Sequence, residues 1–294
     1  MKREALILVS YGNQGVVETS DGSTLDCHYR RSVGRPYCGD RVIIELDGDR
    51  AQVMEIRPRR NVFARADNRQ RKQVIAANLQ QVLVVIAPRP EPSRDLVERY
   101  LVAAHSLDIE PVLVLNKAEL MREESFDPGG PLARLDAYRE LGYAAIETSC
   151  KTAPGTSNLD LVLKDHISIL AGQSGVGKSS LVNALIPDLE LQTGALSRVT
   201  GKGTHTTTTT IMYHLPGGGR LVDSPGVWEY GLWQIDQADL THGFIEFRPF
   251  LGQCRFNDCR HDTEPMCAIR EAVANEQIST WRYQSYLRLL RQSA

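Results

Sequence analysis

The sequence predicts a multi-domain chain in three parts: a small N-terminal β-barrel of the OB-fold type, a central α/β unit on a parallel sheet, and a mostly α C-terminal segment held by a metal. Three observations carry that expectation. Short apolar runs separated by turn dipeptides fill the first sixty residues, the pattern of a small all-β barrel. Continuous apolar runs then alternate with helical patterns, and one opens into a glycine-rich loop ahead of a helix, as in nucleotide-binding α/β units. Three cysteines and a histidine crowd into 254–267, a soft ligand set suited to tetrahedral zinc.

Length and composition agree. A chain of 294 residues, 42% of them hydrophobic, has room for two or three domains. No apolar run approaches the roughly 18 residues that a membrane span needs. The apolar run at 5–9 meets Tyr11 and Gly12 rather than a small-residue cleavage site, so it reads as a strand and not a signal peptide. A cytoplasmic protein without a membrane contact is expected. Cys27, Cys38 and Cys150 are scattered, which fits reduced thiols better than a disulfide framework. Net charge is only −2, but residues 1–75 carry 14 Lys+Arg against 10 Asp+Glu. That asymmetry hints at an end that faces a polyanion.

In the barrel, strands are expected at 5–9, 16–17, 41–46 and 51–56, parted by Asp21-Gly22, Gly39-Asp40 and Asp47-Gly48. Arg30, Arg31, Arg35 and Arg41 surround a loop that also holds Tyr29 and Tyr37. Such a loop can stack bases and hold RNA, or it is simply solvated; the residues alone leave both open. Residues 57–72 hold seven basic residues and one acid, Arg59 and Arg60 among them. This stretch is either a linker that touches phosphates or a plain exposed linker.

Residues 81–87 form the first continuous apolar run, as expected of a strand covered on both faces. Pro88 and Pro90 end it, and a helix is expected at 96–107. The next strand, 111–115, runs into Asn116, Lys117, Ala118 and Glu119. A helix at 132–141 leads to a strand at 144–148, followed by Ser149, Cys150 and Lys151. After a helix at 158–163, the strand at 167–171 delivers Gly172, Gln173, Ser174, Gly175, Val176, Gly177, Lys178 and Ser179, with Ser180 behind. This is a phosphate-binding loop in its required strand–loop–helix setting. Glycines let backbone N–H groups wrap a phosphate, and the new helix turns its positive end to the same anion. Lys178 reaches the outer phosphates and the Ser179 hydroxyl holds Mg²⁺. A loop rich in Gly and Thr occupies 193–210. Strands at 211–215 and 220–222 then lead to Asp223, Ser224, Pro225 and Gly226.

Asn116-Lys117-x-Glu119 resembles the guanine-reading N-K-x-D of GTPases, with Glu in place of Asp. Ser149-Cys150-Lys151 resembles their S-A-K loop, and Asp223-x-x-Gly226 their switch II D-x-x-G. The resemblance implies that Asp223 lies near Mg²⁺. The order is rotated, because the base-reading motifs precede the phosphate loop. The central unit therefore resembles a circularly permuted P-loop GTPase. Switch II then leads straight into the C-terminal segment. Val227 stands where many GTPases carry a water-orienting Gln. His205 is the polar candidate for that task, and Thr206, Thr207 and Thr208 are candidates for the Mg²⁺ and γ-phosphate contact.

Cys254-x4-Cys259-x-His261-x5-Cys267 supplies four ligands and no open position, so the zinc is expected to be structural. A helix is expected from 278 onward, with Tyr283, Tyr286, Leu287 and Leu290 as its apolar stripe. Arg282, Arg288 and Arg291 have no acid nearby in sequence and face either RNA or water.

Barrel, permuted GTPase and Cys/His end, in this order, together with the H-T-T-T run at 205–208 and Gly231-Leu232-Trp233, resemble the ribosome small-subunit-dependent GTPase A (RsgA, also YjeQ) family. The match spans nearly the whole chain. It implies three units: 1–60, an OB-fold that binds rRNA; 68–229, the permuted GTPase; and 235–294, the zinc-binding end. It implies GTP/GDP, Mg²⁺ and one structural Zn²⁺ as ligands. His205 would take part in hydrolysis. The partners would be the small (30S) ribosomal subunit and its 16S rRNA, with ribosome-binding factor A as a further candidate, and the protein would act as a monomer. Two rivals remain at this stage: a nucleotide-switched RNA-binding module that hardly hydrolyses, and a metal-stabilised RNA chaperone with a vestigial pocket. Intact Lys178, Ser179 and Asp223 speak against the second.

Overall fold

A computed structural model describes residues 2–66, 71–93, 95–123, 132–152, 155–189, 192, 210–224 and 236–292. The chain opens with β1 (Lys2–Tyr11), β2 (Gln14–Thr19), β3 (Thr24–Tyr29), β4 (Arg41–Asp47) and β5 (Arg50–Ile56). They close in the order β1-β2-β3-β5-β4, and β4 returns to β1. All neighbours are antiparallel except β3 and β5. This is the closed five-strand barrel expected of an OB-like unit. Alternation fills its interior with Ile7, Val17, Cys27, Val42, Ile44, Ala51 and Val53. Strand β3 was absent from the sequence expectation. Its Cys27 and Tyr29 point inward while Asp26 and His28 stay partly exposed, so polar residues mask its period of two. A bulge falls between Ile7 and Val9 of β1. Beyond it the strand stays paired with β2 but leaves the ladder with β4, and Val9 also pairs with Ile211. A bulge bends a strand and re-aims it.

The basic stretch expected as a linker is partly a hairpin: β6 (Val62–Ala66) pairs with β7 (Lys72–Ala77). The α/β unit follows with β8 (Gln81–Ile86), α1 (Leu96–Ser106), β9 (Glu110–Leu115), α2 (Leu135–Glu140), β10 (Ala144–Glu147) and α3 (Ser157–Leu163). It continues with β11 (Ile167–Gly172), α4 (Lys178–Leu185), β12 (Ile211–His214) and β13 (Arg220–Asp223). The strand order is β10-β9-β8-β11-β13-β12, parallel except for β12, whose other side meets β1 of the barrel. Every residue of β8 is buried, as a strand covered by helices on both faces requires.

The C-terminal segment holds α5 (Gln237–Gly243), a 3-10 turn (Ile245–Phe250), α6 (Ala268–Ala274) and α7 (Thr280–Gln292). Its core is Leu240, Phe244, Phe247, Ile269, Ile278 and Tyr286, and Val102 of α1 belongs to the same cluster. Helices α5 and α1 meet at Gly243, where any Cβ would lie 2.7 Å from Val102. Only glycine allows that approach. Tyr286 and Leu290 of the expected stripe are buried, and Tyr283 and Leu287 are partly buried.

Two of the three arginines of α7 overturn the sequence expectation for them, whereas Arg291 is exposed. Arg282 is fully buried, pairs with Glu246, and lies 3.9 Å from Glu98 of α1. Arg288 pairs with Asp95 at 2.7 Å. Their acids come from the α/β unit and the 3-10 turn, which local sequence does not show. Among the described residues, no helix is long and apolar enough to cross a membrane.

Candidate functional site

The polar motifs gather at the carboxyl ends of the parallel strands, where ligands of such sheets bind. Gly172 ends β11 and Gly177 stands just before α4, with φ of +94°. A Cβ on Gly177 would lie 2.4 Å from Asn116 Nδ2, so this position needs glycine for both its backbone angle and its neighbour. Val176 is buried under the loop, while Ser174, Gly175, Ser179 and Ser180 are exposed on it. The Lys178 ammonium lies inside the turn. It donates to the carbonyl oxygens of Gly172, at 3.1 Å, and of Gln173. Gln173 carries a buried Oε1 without a hydrogen-bond partner among the described residues.

Asn116 ends β9, is 2% exposed, and donates from Nδ2 to the Val176 carbonyl at 2.9 Å. Its Oδ1 accepts from the Thr148 hydroxyl at 3.3 Å. Lys117 adopts a left-handed backbone, φ +58°, and extends its ammonium to the carbonyls of Gly175 and Arg89, both at 2.7 Å. Two motifs far apart in the chain are thereby fastened to one loop. Glu119 sits in the short turn Ala118–Arg122, and its buried Oε2 has no hydrogen-bond partner among the described residues. Burying a carboxylate oxygen without a partner is costly; paired N–H donors on a purine edge would satisfy it. Cys150 lies close enough that the Glu119 charge adds to burial in raising its thiol pKa. Ser149 Oγ accepts from the backbone N–H of Lys151 at 3.1 Å and of Thr152 at 3.0 Å, which shapes the loop.

Asp223 ends β13, and burial raises its carboxyl pKa against an opposing backbone bond from Ser224. A bound cation would restore the ionised form. Ser224 Oγ accepts from the Thr210 hydroxyl at 3.0 Å. That bond ties the residue before β12 to the residue after β13. Catalytic candidate His205, the Mg²⁺ candidates Thr207 and Thr208, Gly226, Val227 and the 231–233 motif lie outside the described residues. Sequence reasoning missed Thr148 and the 88–90 turn as supports of the site. Their one signal is position: the turn follows the continuous apolar run of β8, and Thr148 stands just before Ser149-Cys150-Lys151.

The metal ligands converge as expected. One ligand atom from each of Cys254, Cys259, His261 and Cys267 lies within 4.8 Å of all the others. His261 Nδ1 is 3.5 Å from Cys254 Sγ and 3.4 Å from Cys267 Sγ, and those two sulfurs are 3.9 Å apart. Tetrahedral zinc with bonds of about 2.3 Å to sulfur sets ligand–ligand edges of about 3.8 Å, so the donor set fits that ion. Tyr283 and Tyr286 of α7 brace the cluster, donating to the carbonyls of His261 and Arg260 at 2.8 Å each.

On the barrel, Arg30, Arg31 and Arg35 are exposed. Arg59 grips Asp40 through two bonds of 2.7 Å, and Arg60 pairs with Asp108 at 2.7 Å. Arg35 and Arg59 both lie over the Tyr37 ring, at 5.6 and 4.9 Å. Tyr29 is no stacking platform: it is 6% exposed, and its hydroxyl is held by Ser10 and the carbonyls of Gly12 and Gln14.

A phosphate loop, an asparagine–lysine–acid reader fastened to it and a switch aspartate, entered in rotated order on one sheet, define a circularly permuted P-loop GTPase. A family model described as RsgA GTPase matches residues 56–233. The small ribosomal subunit biogenesis GTPase RsgA of Pseudomonas aeruginosa is 45% identical over 285 residues, covering 97% of this chain and 84% of that protein. Its namesake from Azotobacter vinelandii is 44% identical, covering 98% and 85%. The crystal structure of YjeQ from Thermotoga maritima superposes with a TM-score of 0.78 at 31% identity, covering 100% of this chain and 99% of that one. That of YloQ, a circularly permuted GTPase, does so with 0.78 at 25%, covering 100% and 95%. The chain belongs to the RsgA GTPase family.

Proposed function

We propose that the chain hydrolyses GTP to GDP and phosphate during late maturation of the small (30S) ribosomal subunit. The bond from Asn116 Nδ2 to the Val176 carbonyl carries this reading, because it joins the base-reading and phosphate-holding segments in one pocket. Guanine would lie against Glu119, supported by Ser149, Cys150 and Lys151. The phosphates would take the backbone N–H groups of 173–180 and the Lys178 ammonium. Mg²⁺, held by Ser179, Asp223 and a threonine among Thr207 and Thr208, would neutralise charge that develops on the β- and γ-phosphates. His205 would place the attacking water. The zinc is structural, since all four positions are filled by protein.

The barrel would contact 16S rRNA through Arg30, Arg31 and Arg35, with Arg59 and Arg60 at the edge of that face. The units 1–60, 68–229 and 235–294 would act as one cytoplasmic monomer, and its release would accompany that of factors such as ribosome-binding factor A. The named relatives, whose titles assign them to small-subunit biogenesis, support this reading. A phosphate-release assay with and without small ribosomal subunits tests it. Turnover of GTP but not ATP, accelerated by subunits, is expected; no GTP turnover under either condition would sink it.

A further inference from the structure

Along the chain, the hairpin β12–β13 stands between the Gly/Thr-rich stretch 193–210 and the Asp223-x-x-Gly226 motif. Ile211 and Asp223 face each other at one end of its ladder, His214 and Arg220 at the other. In GTPases the switch segments order around the γ-phosphate and Mg²⁺ and let go after hydrolysis. Here both ends of the hairpin are gripped by the N-terminal barrel. At the nucleotide end, Val9 of β1 pairs with Ile211. At the far end, Glu18 of β2 holds Arg220 Nη2 at 2.7 Å with one carboxylate oxygen and His214 Nε2 at 2.8 Å with the other. The Glu18 side chain is only 8% exposed.

The barrel has a second junction with the sheet. Cys38 bridges to Ala76, and its carbonyl accepts from Ala77 N–H at 2.9 Å. Strand β7 runs on toward β8, which pairs directly with the phosphate-loop strand β11. The barrel therefore spans the frame of the nucleotide site and the hairpin that carries Asp223. An exposed ion pair would transmit little. Here the carboxylate is buried while Arg220 and His214 are 34% and 48% exposed, the contact has two prongs, and it crosses from one unit to another.

We infer that Glu18 is a positioning residue for GTP hydrolysis: through Arg220 and His214 it sets the hairpin that presents Asp223, and so makes the nucleotide site sense what the barrel holds. This rests on the function proposed above. The experiment uses the full chain, single-turnover GTP hydrolysis with and without small ribosomal subunits, GDP affinity and thermal melting. Glu18→Gln keeps shape and removes the charge. The ratio of stimulated to unstimulated rate should fall roughly 3- to 30-fold, the range of interdomain coupling energies, with GDP affinity unchanged. Arg220→Gln should do the same from the other side, and the double variant should be no worse than the worse single. Should one variant fold poorly, the other decides. Full stimulation in a folded variant, strictly additive losses, or collapse of both variants would overturn the inference. A wild-type chain that subunits do not stimulate would instead overturn the functional reading beneath it.

Discussion

Glu119 is the residue whose surroundings ask most plainly for a ligand. Its Oε2 is buried without a partner among the described residues, a lack it shares with Gln173 Oε1 of the phosphate loop, while Asn116 and Lys117 beside it are held by named bonds. A hydrogen bond to a charged group contributes about 1.5–3 kcal/mol. Glu119→Ala should therefore weaken GDP binding roughly 10- to 100-fold, while Glu119→Asp should retain guanine preference. Competition of labelled GDP by GTP and by ATP reads both; equal loss in the two variants would take the carboxylate out of base recognition. The motif was legible in the sequence as residue types. Its orphan oxygen was not, because burial is a property of packing.

Among elements, α7 shows how far one helix can mislead when read alone. Its arginines have no acid within the helix, yet Arg282 is encased among Glu246, Glu98 and the Phe244 ring, 4.3 Å away. Removing one partner of a buried pair costs about 3–5 kcal/mol, because the other charge stays buried without compensation. Arg282→Ala and Arg282→Met should both lower unfolding stability by about that amount in urea titration, since each leaves Glu246 and Glu98 without their cation; a loss below about 1 kcal/mol in both would show that the pair is not what holds the helix. The Cys/His cluster that could hold zinc belongs to the same segment. Four ligands within 14 residues were readable because a tetrahedral site imposes short spacing. Removing the metal with a strong chelator should melt the C-terminal segment first. Helical circular dichroism should fall while GDP binding persists; simultaneous loss of both would show that the clasp holds the nucleotide site as well.

At the scale of the whole molecule, the joint between the α/β unit and the C-terminal segment is acid-sensitive. His105, at the end of α1, is held down to about 4 by burial, aided by Arg248 and Arg282, against an ordinary value of 6.5. The unfolded chain takes up this proton near pH 6.5 and the folded chain only near 4. Its contribution is thus intact above pH 6.5 and is lost as pH falls through about 4. Glu98, raised by burial, works in the opposite sense, since the folded state holds its proton more tightly. Melting temperature should decline from pH 6.5 toward 4, and His105→Gln should flatten that limb; an unchanged limb would place its origin elsewhere.

By itself the sequence determined the phosphate loop, the rotated order of the motifs, the metal ligands and the three-part plan, because each depends on residues close together in the chain. A phosphate cradle needs one turn, a zinc clasp one short segment, a buried strand one apolar run. Tertiary structure alone decided which charges meet, as with Arg288 and Asp95, 193 residues apart. It also decided that Asn116 clasps the Val176 carbonyl and that β1, still paired with β2, reaches β12 as well. Those contacts arise only when packed elements bring distant segments within a few ångströms, and burial then makes each partner hard to remove.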